Sequence, residues 1–76
     1  MNNKRIQSNL KTLLNKHGLE QKQLAEMSGL SVRTISELAN DKMKHYPKRA
    51  LEAIASALDI DDINDLLTLV DEDEAE

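Results

Sequence analysis

The sequence predicts an all-α fold, a compact bundle of five short helices forming one domain within 76 residues. Three observations predict it. Strong helix formers dominate the composition, with two glycines and one proline in the whole chain. Apolar residues recur three and four apart in separate stretches, the period of an amphipathic helix. The breakers Gly18, Gly29 and Pro47 fall between those stretches rather than inside them.

Each element follows in order. Ile6, Leu10, Leu13 and Leu14 share one helical face and predict a first helix over residues 4–17, with Gly18 as its left-handed stop. Leu24 and Ala25 predict a short second helix over 21–28, broken at Gly29. Ser31 is a cap for a third helix over 32–39, because its hydroxyl accepts from the free amides of the first turn. Ile35 and Leu38 turn that helix inward. Residues 40–46 form a polar, basic loop, and Pro47 suits the first turn of a fourth helix, where its missing amide is harmless. Leu51, Ile54, Ala55 and Leu58 make its buried stripe, and Asp59 closes it. Asp61 or Asp62 then caps a fifth helix carrying Ile63, Leu66, Leu67 and Val70. The domain is expected to span residues 1–70, followed by an acidic, disordered tail over 71–76.

Composition excludes several functions. Without cysteine there is no disulfide frame and no thiolate metal site, and His17 and His45 stand alone. No metal or cofactor is expected. Nor is an enzyme, because there are no paired histidines, no phosphate-cradling glycine loop and no fold large enough to hold a pocket. Asp61, Asp62 and Asp65 lack the turn glycine and terminal glutamate of a calcium loop and are better explained as caps. Tyr46 is the sole aromatic, which argues against binding single strands or RNA by stacking. No apolar run is long enough to span a bilayer, so a soluble, cytoplasmic protein is expected.

The net charge of −4 conceals an asymmetry. Residues 1–49 hold all ten basic residues against four acidic ones, a balance of +6. Residues 50–76 hold ten acidic residues and no basic one, a balance of −10. Only the first half suits a polyanion.

That half contains two short helices around a glycine turn, from Gln21 to Leu38. Such a unit sets its second helix into the major groove of DNA. Leu24, Ala25, Leu30, Ile35 and Leu38 lock the pair together. Ala25 permits close approach, and Gly29 supplies a permissive turn. A plain helical hairpin is the simpler explanation, but the spacing of Ala25, Gly29 and Ile35 disfavours it.

Here the chain resembles the Cro/phage-repressor type, the lambda-repressor-like helix-turn-helix regulators. The resemblance rests on Leu19-Glu20-Gln21-Lys22-Gln23-Leu24-Ala25 as second helix and residues 31–38 as recognition helix. Asn40-Asp41-Lys42 stands where the family usually has Asn-Gly-Lys, and residues 50–58 and 62–67 are similar to its fourth and fifth helices. The resemblance implies base contacts from Val32, Arg33, Ser36 and Glu37. Arg33 has two parallel donors for guanine, Val32 a methyl surface for thymine, and Glu37 an acceptor for cytosine. Glu37 pairing with Arg33 four residues earlier is an equal alternative. Phosphate contacts fall to Gln21, Lys22, Ser31, Thr34, Asn40, Lys42 and Lys44.

Glu20 replaces the usual Thr or Ser cap, and Asp41 replaces the usual glycine. Both place negative charge near the phosphates and are expected to weaken binding. Leu14 and Ala39 occupy positions where some relatives carry an ion pair, so an apolar contact is expected there.

The family binds as dimers, with two recognition helices in successive major grooves about 34 Å apart. Leu66, Leu67, Leu69 and Val70 on helix five are the expected dimer contact. The function expected is a sequence-specific transcriptional regulator of double-stranded DNA, a homodimeric repressor of phage, mobile-element or small-operon type. The alternative is a protein-interaction module whose acidic half engages a partner. The tail is explained by solubility or, more sharply, by competition with DNA for the basic face.

Overall fold

A computed structural model of the chain describes residues 3–72. The described residues form four α-helices, α1 (Leu10–His17), α2 (Gln21–Ser28), α3 (Val32–Ala39) and α4 (Lys48–Leu58). Two strands, β1 (Lys4–Ser8) and β2 (Leu67–Asp71), flank them, and a single 3-10 turn over Ile63–Asp65 precedes β2. The all-α, five-helix expectation is therefore corrected to four helices and a two-stranded ribbon.

The corrections lie at the two ends of the chain. Residues 4–8 are strand rather than the start of a helix, and residues 67–71 are strand rather than helix five. The strands pair antiparallel, with Ile6 opposite Leu69, Arg5 opposite Val70 and Lys4 opposite Asp71. The Asn9 amide donates to the Leu66 carbonyl at 2.8 Å and closes the base of the ribbon. Ile6 and Leu10 are four apart and fit a helix, yet residues 4–8 contain a single apolar residue, and one residue sets no period. In β2 the β-branched Thr68 and Val70 favour the strand. Asp62 does cap, accepting from the Asn64 amide at 2.9 Å, but it caps a 3-10 turn that ends within three residues.

Helix α1 starts at Leu10, where the Ser8 hydroxyl accepts from the Leu10 amide at 3.2 Å. Gly18 ends it with φ +65°, and the Leu19 amide donates back to Leu14. Pro47 lies one position earlier than expected, as the extended cap before α4. Asp59 closes α4 in the left-handed region at φ +56°. The expected α4 stripe is also adjusted: Ala50, Ile54 and Leu58 are buried, while Leu51 and Ala55 are half-buried. Asp71 and Glu72 are not a free tail, because Asp71 ends β2 and pairs with Lys4, and the Glu72 amide donates to Asn3. The rest of the expected tail, residues 73–76, lies outside the described residues.

The core joins every helix. Leu10, Leu24, Ile35, Leu38, Ile54 and Leu66 are fully buried, and Leu14 and Ala39 lie in the same cluster as an apolar contact. Among the described residues no polar or charged side chain is buried. Helix α3 is capped by Ser31, whose hydroxyl accepts from the Thr34 amide at 3.0 Å. Replacing Ser31 with Ala is expected to cost about 1 kcal/mol, seen as a lower urea midpoint with an unchanged slope.

Candidate nucleic-acid interface

Local sequence builds this surface with little help. Gly29 takes φ +79° and its amide donates to Ala25 at 2.9 Å, ending α2 and turning the chain. Ser28 supports the turn by accepting from the Leu30 amide at 3.2 Å. Ala25 is buried, so its small side chain lets α3 cross close to α2. At the start of α2 the Gln23 side chain accepts from the Glu20 amide at 2.8 Å, which compensates for the absent Ser or Thr cap.

With its inner face committed to Ile35, Leu38 and Ala39, α3 presents Val32, Arg33, Ser36 and Glu37 along one outer stripe, continued by Asn40. Val32 and Arg33 are exposed, the Arg33 side chain to 88%. Val32, 48% exposed, lies outside the hydrophobic core cluster. Arg33 Nε donates to Glu37 Oε2 at 3.4 Å, so in the free protein Glu37 steadies the guanidinium. Asn40 Nδ2 donates to the Ser36 hydroxyl at 3.2 Å.

The other expected contact residues differ in availability. Lys22, Lys42 and Lys44 are exposed, and Gln21 is half-buried at the first position of α2. Ser31 and Thr34 are engaged with each other, hydroxyl to hydroxyl at 2.9 Å, in addition to the cap. Of the expected dimer residues, Leu66 is fully buried within its own chain, Leu67 and Val70 are half-buried, and Leu69 is 70% exposed.

Asp41, expected as an extra negative charge near the phosphates, has partners within the fold. It adopts φ +60°, and its carboxylate accepts from Arg5 Nη1 at 2.9 Å and from the Ser8 amide at 3.2 Å. Its charge is answered within the fold. Arg5 was not singled out by sequence, and no local signal marks it, because its partner lies 36 positions away.

Tyr46 joins this cluster. Burial first, then the negative charge of Asp41 and a hydrogen bond to it, raise the phenol above its ordinary 10.0, with Arg5 acting the other way. The folded chain therefore holds the phenolic proton to higher pH than the unfolded chain. Its contribution to stability is complete below pH about 10 and is lost as pH rises through the folded value. Tyr46 is the only tyrosine and tryptophan is absent, so phenolate absorbance follows it cleanly. The midpoint is expected to lie above that of the urea-unfolded chain and to move back in Asp41→Asn. Coincident midpoints would contradict it.

Among the described residues no group of three metal-ligating side chains is gathered, and no helix is long and apolar enough to cross a membrane. A family model described as the Cro/C1-type HTH DNA-binding domain matches residues 9–72, from the strand–helix corner through β2. Neither the curated proteins nor the solved structures give a match. The match covers most of the chain and includes the α2–turn–α3 unit with its outward stripe. The chain belongs to the Cro/C1-type helix-turn-helix DNA-binding domain family.

Proposed function

We propose that this protein is a sequence-specific transcriptional regulator of repressor type, acting in the cytoplasm as a homodimer on a near-palindromic site in double-stranded DNA. The observation that carries this reading is the outer stripe of α3, where exposed Val32 and Arg33 have no packing role in the fold. Val32, Arg33, Ser36 and Glu37 face the base edges, with Glu37 holding Arg33 until DNA competes for it. Gln21, Lys22, Asn40, Lys42 and Lys44 contact phosphates, and Ser31 and Thr34 support them at the start of α3. Repression requires no chemistry, only occupancy. Selection of bound duplexes from random-sequence DNA, followed by footprinting, tests it. Enrichment of a two-fold related site is expected; recovery of unrelated sequences alone would sink the reading.

Dimerisation rests on the ribbon rather than on a fifth helix. Leu69 faces Ile6 across the strands, both exposed, and Leu67 and Val70 flank them. Leu66 takes no part, because its side chain fills the protomer core. Leu69→Lys is expected to shift the sedimentation profile from dimer to monomer without unfolding. A native chain that sediments as a monomer both free and on DNA would remove the dimer from the proposal.

A second reading places a protein partner at the acidic half. It is favoured by Ile63, 54% exposed among the exposed Asp61, Asp62 and Asp65.

A further inference from the structure

The ribbon and the DNA-reading helix come from opposite parts of the sequence, yet one residue touches both. Asp41 directly follows Asn40 at the end of the α3 stripe. Its amide donates to the Leu38 carbonyl at 3.1 Å, and the next amide, of Lys42, donates to Glu37 at 2.9 Å. These two bonds form the left-handed helix stop for which glycine is the usual residue. A side chain in that conformation is strained unless something compensates it. Here the compensation is on the ribbon. One carboxylate oxygen accepts from Arg5 on β1, and the other accepts from the backbone amide of Ser8 on the same strand.

Among the described residues, these are the side-chain hydrogen bonds that join the ribbon to the α3–α4 connection. The other hydrogen bonds at the ribbon base, the Asn9 amide to Leu66, Asn9 Nδ2 to Asn64 and the Leu10 amide to the Ser8 hydroxyl, lie where the strands leave the helical body, and none of them reaches the α3–α4 connection. Both members of the ion pair are partly buried, at 30% and 24% exposure, so the pair is less screened than one on the open surface. Tyr46, from the loop before α4, feels the same carboxylate, whose charge helps to raise its phenol.

We propose that Asp41 is a positioning residue: through Arg5 and the Ser8 amide it clasps the β1–β2 ribbon to the end of the recognition helix, so that ribbon and reading helix move as one body. Its consequence rests on the homodimer reading above. If the ribbon joins two copies, the clasp sets the angle between the dimer contact and each recognition helix, and with it the half-site spacing the dimer accepts.

The test uses three full-length variants. Asp41→Gly relaxes the left-handed turn while deleting the carboxylate, so the fold is retained. Asp41→Asn keeps an acceptor for Ser8 but breaks the ion pair, and Arg5→Gln breaks the pair from the other side. In the free protein, residual dipolar couplings of the native ribbon are expected to fit the same alignment as α1–α4. In Asp41→Gly the helices still fit one another, the ribbon no longer does, and Ser8 amide exchange rises about tenfold. Asp41→Asn and Arg5→Gln fall between. An unchanged ribbon alignment in Asp41→Gly overturns the proposal.

The second arm measures binding to paired half-sites with base pairs inserted or removed between them. Native protein is expected to prefer one spacing by about tenfold, and Asp41→Gly to flatten that preference while keeping its affinity for a single half-site. A spacing preference equally sharp in both proteins overturns the inference for DNA binding. If the native protein instead binds as a monomer, the dimer reading fails. The clasp then stands or falls on the alignment data.

Discussion

Ile35→Ala is expected to leave the domain largely unfolded at physiological temperature. Ile35 is fully buried at the inner face of α3, in the cluster that joins all four helices. Truncating a buried isoleucine costs roughly 2–5 kcal/mol, because the loss of apolar burial adds to the cavity left behind. A chain of this length has about 4–11 kcal/mol of stability in all, so this one substitution removes a large fraction of it. Each kcal/mol moves the melting temperature of so small a domain by about 4–8 °C. Thermal melts followed by circular dichroism should therefore shift by more than about 10 °C, and Ile35→Val by much less. A shift of only a few degrees for the alanine variant would mean that the core rests elsewhere.

Arg33→Ala is expected to have the opposite profile: little effect on folding and a large one on DNA. Its side chain is 88% exposed, and its partner Glu37 is half-exposed, so the pair contributes little to stability. On DNA a guanidinium bidentate to guanine accounts for about 1–3 kcal/mol of discrimination, a factor of roughly 5–150. Competition binding against duplexes substituted one base pair at a time is the measurement. Selectivity relaxed at one position identifies base readout. An even loss across all sequences, with the salt dependence falling by about one ion, would reassign Arg33 to a phosphate. Unchanged affinity would remove α3 as the reading helix.

These two residues are two positions apart on one short helix, a rise of about 3 Å along its axis. One faces the core and the other faces outward; spacing marked Ile35 as inward, and the family resemblance implied the exposed position of Arg33. Helices α2 and α3 have the bounds their local signals predicted, Gln21–Ser28 and Val32–Ala39. Gly29, the Ser31 cap and the recurrence of Leu24, Ile35 and Leu38 all act within a few residues of where they are written. The family assignment draws on more than this stretch, since the matching model spans residues 9–72.

The ends of the chain were not legible in that way. Ile6 and Leu10 share a helical spacing, and so do Ile63, Leu66, Leu67 and Val70, yet both segments contribute strands. A strand is defined by its partner, and here Ile6 and Leu69 meet from opposite ends of the sequence. No local period encodes such a pairing. The surface expected to carry a dimer changed with it: Leu66 turned into the core, Leu69 stayed exposed, and Ile6 arrived opposite.

Asp41 makes the same distinction at a single residue. Its tolerance of a left-handed turn is a property of aspartate and could be read from the letter. Whether its charge opposes DNA or is answered inside the fold depends on Arg5, brought to 2.9 Å by the ribbon. The types of α2 and α3, their caps and the outward face of α3 come from interactions between near neighbours, so the order of residues settles them. Strand pairing, the exposed apolar pair Ile6 and Leu69, and the fate of that charge come from groups far apart in the chain, which only folding brings within reach.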